Sequence, residues 1–182
     1  ETGFGKAMAA LITELVPDAS TSGTVPGSHI KQMNLLVGSS LTVGDVEAVK
    51  ELVEAFGLEP VALPDLSESL GYLGEEEYSP LTIGGTRVED LKQAGNALAT
   101  VVTGPSLFPA ADILQQKTGV SDFRLDHLMG LETMDAFIGY LSELTSRAVP
   151  RKIQRQRAQL QDAMLDCHFA LGHARIAIAA DP

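Results

Sequence analysis

Asn34-Leu-Leu-Val-Gly-Ser-Ser-Leu-Thr-Val-Gly-Asp-Val-Glu-Ala-Val-Lys-Glu-Leu-Val-Glu-Ala-Phe-Gly-Leu-Glu-Pro-Val-Ala-Leu63 changes its hydrophobic period twice. Asn34 to Val37 is a short apolar run that stops at Gly38-Ser39-Ser40. After Thr42, residues Val46, Val49, Leu52, Val53 and Phe56 recur at helical spacing until Gly57, and Pro60 to Leu63 is apolar again. Strand, helix and strand within about 30 residues is the size of a βαβ unit. Strands joined this way lie parallel, with a right-handed crossover. The stretch therefore predicts a parallel α/β domain.

The downstream pattern extends that sheet. Ala97 to Val102 is nearly continuous in apolar character, as a strand covered on both faces requires. Gly104-Pro105-Ser106 breaks it. Pro109 to Thr118 supplies a helix stopped by Gly119, Phe123-Arg124-Leu125 a short fourth strand, and Met134, Phe137, Ile138, Leu141 and Leu144 the stripe of another helix. Between Leu63 and this region lies a long irregular stretch, Pro64 to Gly85, containing Glu75-Glu76-Glu77; a loop of that length is usually functional or mobile. Thr86 with Glu89 has capping-box spacing. Gly84-Gly85 before a helix could cradle an anion, but neither the Lys-Ser/Thr of a P-loop nor a third glycine follows, so a plain cap is the preferred reading.

At the two ends the pattern loosens. Met8, Leu11, Ile12, Leu15 and Val16 form an amphipathic helix ended by Pro17, and residues 18–28 have linker composition. This helix belongs either to a preceding domain or packs loosely on this one. Pro150 opens a long helix with Ile153, Leu160, Met164, Cys167 and Leu171 on one face. Arg175-Ile-Ala-Ile-Ala-Ala-Asp-Pro182 then reads as the first strand of a further domain. The expected divisions are 1–28, helix and linker; 29–149, the α/β domain; and 150–182, long helix and strand.

Composition sets limits on function. The 182 residues, 45% hydrophobic, suffice for one well-buried core, and no apolar run approaches the roughly 20 residues that span a bilayer. The net charge of −11 argues against a nucleic-acid or anionic-membrane surface. It is unevenly spread: residues 1–146 hold 7 Lys/Arg against 21 Asp/Glu, whereas 147–182 hold 6 against 3. Arg147, Arg151, Lys152, Arg155 and Arg157 concentrate the positive charge at a helix start, where the dipole disfavours cations. Such a run is either a solvated face or a docking surface for an acidic neighbour. The single cysteine excludes an internal disulfide and any all-cysteine metal site made by this chain alone, and it suits a reducing cytosol.

Candidate chemical groups are sparse. Adjacent helical residues point about 100° apart, so Asp166-Cys167-His168 cannot act as a cluster, and Cys167 on the apolar stripe reads as a buried, inert thiol. His168 and His173 are five apart, not the four that lets two imidazoles share a metal. His127 is the best placed, beyond the carboxyl end of a strand, where open α/β sheets bind ligands. The same rim gathers Ser39, Ser40, Asp65, Thr103, Ser106 and Asp126, which supply acids and hydroxyls without a complete catalytic set.

Gly84-Gly-Thr86 with its following helix, Asn96-Ala-Leu98, Met129-Gly-Leu131 and Arg155-Gln-Arg-Ala-Gln-Leu-Gln-Asp-Ala-Met-Leu-Asp-Cys-His168, leading into Arg175 to Pro182, resemble nitrogenase component 1 chains. The likeness covers essentially the whole chain, is most specific at its C-terminal end, and is greatest to the β-type subunit of the scaffold that assembles the iron–molybdenum cofactor. It implies the middle one of three α/β domains: a Rossmann-like three-layer unit with a four-stranded, mainly parallel sheet flanked by helices. It also implies a cytoplasmic role in nitrogen fixation, beside a NifE-type subunit similar to the nitrogenase α subunit, with the iron protein approaching transiently. The full assembly carries iron–sulfur clusters and a cofactor precursor. The family's bridging cluster is held by cysteines of an N-terminal domain, and the cofactor-ligating cysteine of α-type relatives matches Thr103, whose hydroxyl does not replace a thiolate on soft iron. The resemblance thus carries no metal ligand and no catalytic residue onto this chain. It favours a structural scaffold segment with Arg151, Lys152 and Arg155 as a partner surface. The alternative is a ligand-binding or enzymatic domain using the rim around His127.

Overall fold

The structure, a computed structural model, describes residues 2–65, 84–177 and 179. Its centre is a four-stranded sheet in the order β2-β1-β3-β4, formed by β1 (His29–Val37), β2 (Glu59–Leu63), β3 (Ala97–Thr103) and β4 (Asp122–Leu125). All three pairings are parallel. Around it lie α1 (Thr2–Leu15), α2 (Ala19–Ser22), α3 (Val43–Ala55), α4 (Val88–Gln93), α5 (Phe108–Thr118), α6 (Leu131–Thr145) and α7 (Arg151–Leu171). The expected α/β architecture is present, with β1 beginning five residues before Asn34.

Strand alternation divides the interior into two cores. Met33, Leu35, Val37, Ala99 and Val101 face α3 and α6, where Val46, Val53, Phe56, Phe137 and Leu141 meet them. Leu36, Leu63 and Val102 face the opposite side, packed against Met8 and Ile12 of α1, Leu91 of α4 and Ala110, Ala111 and Leu114 of α5. Each large side chain buried here contributes about 1.5–3 kcal/mol. Asn34, fully buried on the second face, has its amide satisfied: Nδ2 donates to the Ala94 carbonyl at 2.9 Å and to Thr100 Oγ1 at 3.3 Å.

The helix boundaries follow local chemistry. Thr42 caps α3 in a reciprocal box: its backbone N–H donates to Asp45 Oδ2 at 2.8 Å and Asp45 N–H donates to Thr42 Oγ1 at 3.2 Å. Gly57, at φ +76°, ends the same helix in the left-handed region. The Thr86–Glu89 box does not form. Helix α4 begins later, with Arg87 N–H donating to Asp90 Oδ2 at 3.3 Å. Thr86 instead links loop to sheet, its hydroxyl donating to the Ala62 carbonyl at 2.7 Å and accepting from Asp65 N–H at 2.8 Å.

The structure corrects the expectations about the ends. Helix α1 is integral rather than loose, because Met8 and Ile12 lie in the second core and Gly5 abuts the Ser106 carbonyl. Residues 18–28 are not a free linker. They include α2, and Asn96 Oδ1 accepts from Val25 N–H at 3.1 Å and from Ser28 Oγ at 3.0 Å, while Gly27 N–H donates to the Ala97 carbonyl at 2.9 Å. Of α7 only Ile153 is buried; Cys167, expected inside, is exposed because the helix runs off the domain after its first turns. Of the strand expected over 175–182, residues 175–177 and 179 belong to no strand, and the remaining positions lie outside the described residues. Most of the irregular stretch, 66–83, with its glutamate run, falls outside the described residues.

Candidate functional site

Reversal of the winding makes a crevice. From β1 the chain crosses over α3 to β2 on one side, and from β3 it crosses over α5 to β4 on the other. Because crossovers are right-handed, α3 and α5 cover opposite faces, and the loops leaving β1 and β3 part at the carboxyl edge. A cavity of about 520 Å³ opens there. Its walls are the loop after β1 (Ser40, Leu41), the first turns of α3 (Asp45, Ala48, Val49, Leu52), the end of β3 (Thr103, Gly104), the segment Asp126 to Met129 and Met134 of α6.

The structure thus brings together Ser40, Thr103, Asp126 and His127 and separates the other expected rim residues. Ser39 lines a smaller crevice with Phe4 and Pro64. Asp65 is paired with Lys50 at 2.8 Å. Ser106 lies in a 3-10 turn, Pro105–Leu107, whose backbone packs on Gly5 of α1. The apolar floor from Ala48, Val49, Leu52 and Met134 was not expected at the site, because residues of a helix stripe read as core. Asp45 was findable from its three-residue spacing to Thr42.

The polar groups have defined states. His127 Nδ1 accepts a hydrogen bond from Met129 N–H at 3.2 Å, which leaves the proton of a neutral imidazole on Nε2. Asp45 is held below the usual carboxylate range by the backbone N–H of Thr42 and then by its hydroxyl. Thr103 is a brace: its hydroxyl accepts from Gly38 N–H at 3.1 Å and donates to the Leu36 carbonyl at 3.2 Å. It is nearly fully buried, and Gly38 approaches it so closely that an added Cβ would come within 2.5 Å of the Thr103 carbonyl oxygen. With both hydrogen-bonding directions used inside the sheet, Thr103 does not fit the role of a cluster ligand. The one thiol, Cys167, stands on α7, remote in sequence from the rim, and the described residues contain no group of three His, Cys, Asp or Glu side chains arranged to hold a metal.

The basic run is split by its contacts. Arg157 makes a two-pronged pair with Asp135 of α6, with Nε to Oδ1 at 2.7 Å and Nη2 to Oδ2 at 2.6 Å. The Arg147 guanidinium lies over Gly57. Lys152 is 3.7 Å from Glu51, both strongly exposed. Among the described residues Arg151 and Arg155 have no ion partner, so the outward charge of this helix start rests mainly on them.

A parallel sheet wound in both directions from β1 and β3, with a cavity at the reversal, defines a doubly wound α/β domain. The chain belongs to the nitrogenase component 1 type oxidoreductase family, whose sequence profile matches residues 1–182. It is 42% identical over 182 residues to the nitrogenase iron-molybdenum cofactor biosynthesis protein NifN of Klebsiella pneumoniae, and 40% identical over 182 residues to that of Nostoc sp.. All of this chain and 39% of each relative take part, so the chain spans about two-fifths of their length. Among solved structures, a chain of nitrogenase Cp1 at pH 6.5 superposes with a TM-score of 0.83 at 31% identity, over 93% of this chain and 36% of that one. No helix among the described residues is long and apolar enough to cross a membrane.

Proposed function

We propose that this chain is a structural segment of a β-type scaffold subunit on which the iron–molybdenum cofactor of nitrogenase is assembled, acting in the cytoplasm and without catalysis of its own. The observation that carries this reading is the 42% and 40% identity to NifN proteins across all 182 residues. On this reading Ser40, Asp126 and His127 of the rim offer polar contacts on an apolar floor. Residues 29–149 are the α/β domain of this segment, α1 packing on it as an integral layer. The partner is a NifE-type subunit, met through the surface of Arg151, Lys152 and Arg155, with the nitrogenase iron protein approaching transiently. Iron–sulfur clusters and the cofactor precursor are held by other parts of the assembly.

Binding of a full-length subunit containing this segment to its NifE-type partner tests the proposal. Charge reversal at Arg151, Lys152 and Arg155 should weaken capture and make the residual binding less salt-sensitive. Unchanged binding after triple reversal removes this surface from the interface. Failure of the unmodified subunit to bind at all removes the scaffold role.

One observation favours a second reading. A cavity of about 520 Å³ at the winding reversal is the size and place of a small-molecule site. A ligand found in a thermal-shift screen, whose effect disappears in His127→Ala, would establish it.

A further inference from the structure

The crevice at the winding reversal stands where a doubly wound domain ordinarily receives a phosphate, on a helix N-terminus and the N–H groups of its loop. In this chain that position is filled from within. The Asp45 carboxylate accepts from the Thr42 N–H at the start of α3, and Asp45 N–H donates to Thr42 Oγ1. Across the crevice, Gly38 N–H is spent on Thr103 Oγ1 and Gly104 N–H on the Leu125 carbonyl at 2.8 Å. These donors, which would otherwise cradle an anion, already have acceptors.

Charge points the same way. Asp45 and Asp126 both line the cavity, and no lysine or arginine is among its described lining residues. The basic residues closest to the lining in sequence are committed elsewhere. Lys50 pairs with Asp65 at 2.8 Å, and Arg124 donates to Asp122 through Nε at 3.0 Å and to Asp112 through Nη2 at 2.6 Å. Both side-chain oxygen contacts of Asp45 with Thr42 end on Oδ2, which leaves Oδ1 for a further donor. The Asp126 side chain has no hydrogen-bond or ion-pair partner among the described residues. Beside these two acids lies the apolar surface of Val49, Leu52 and Met134.

We propose that this crevice is a site for an organic cation, a compact apolar body carrying one ammonium group, which the floor covers and Asp45 and Asp126 hold. Phosphates, nucleotides and carboxylates meet like charge and no spare donor set, and are rejected. The proposal rests on the second reading above, that the cavity holds a small molecule, and adds the charge of its occupant.

Three probes of one shape separate charge from burial: adamantylammonium, adamantanol and adamantanecarboxylate, titrated calorimetrically into a full-length subunit containing this segment. The ammonium should bind at least about tenfold more tightly than the carboxylate, with the alcohol between them, and the gap should narrow as salt is added. Asp126→Asn should weaken the ammonium at least about threefold and leave the alcohol unchanged; an ammonium indifferent to it overturns the charge pairing. Ala48→Phe fills the cavity from an exposed position of α3 and should abolish ammonium binding. Binding that survives Ala48→Phe lies elsewhere and overturns the site. A carboxylate that binds as tightly as the ammonium, and is lost in Ala48→Phe, overturns the cation assignment while the small-molecule reading stands. If none of the three binds, both fall.

Discussion

Thr103 and Gly38 join the two strands between which the winding reverses: the Gly38 N–H donates to Thr103 Oγ1 at 3.1 Å, and the same hydroxyl donates to the Leu36 carbonyl. This bond fixes the separation of the β1 and β3 ends that wall the cavity. Thr103→Val keeps the shape and removes both bonds, leaving the Gly38 N–H buried without a partner. Chemical denaturation should show a loss of about 1–3 kcal/mol, with Thr103→Ser recovering most of it.

Gly5 sits where α1 crosses the turn after β3, its Cα against the Ser106 carbonyl oxygen. A methyl group there cannot be accommodated without moving α1 off the second core. Gly5→Ala should cost about 1–3 kcal/mol in urea unfolding despite alanine's better helix propensity. An unchanged or raised midpoint would mean that α1 is a detachable appendage, as its sequence position suggested.

Asn96 ties residues 25–28 to the start of β3. Its Oδ1 accepts from Val25 N–H and Ser28 Oγ, and its Nδ2 donates to Gln93 Oε1 at 2.6 Å. Asn96→Ala should accelerate amide exchange at Val25 and its neighbours while leaving the exchange of β1 and β3 core amides nearly unchanged. The global loss should stay at about 1 kcal/mol.

Asp135 is held below its ordinary value of 3.8, first by the hydrogen bonds from Arg157 and then by its charge. A carboxylate depressed in the folded state stabilises it above the unfolded value, and that contribution disappears as the pH falls through the folded value. The contribution is therefore complete at neutral pH and lost only in acid below about 4. Because both side chains face solvent, its size should fall with added salt. NMR titration should place Asp135 below the ordinary aspartate value. Arg157→Ala should return it to the usual range, and Arg157→Lys only partly restore the shift, lacking the fork.

Much of this protein was legible from adjacent residues. The strand–helix–strand core, the parallel direction, Thr42 and Gly57 as the ends of α3, and the position of His127 past β4 all depend on period and on turn or cap chemistry within a few residues. The rim was less legible. Ser39 and Ser40 are neighbours in the chain yet line different cavities, and Asp65 is paired with Lys50 across the loop, because which side of a rim a residue faces depends on strands distant in sequence.

The contrast between α1 and α7 shows where local reading stops. Both carry an apolar stripe at helical spacing, around Met8 and Ile12 in one and around Leu160 and Met164 in the other. Met8 and Ile12 lie in the second core, whereas Leu160 and Met164 are open to solvent. The amino-acid sequence alone determined which face of each helix is apolar, because that follows from 3.6 residues per turn. Only the tertiary structure decided that α5 and the sheet cover one stripe and leave the other bare. Cover is supplied by segments far along the chain, and a helix's own period carries no information about them.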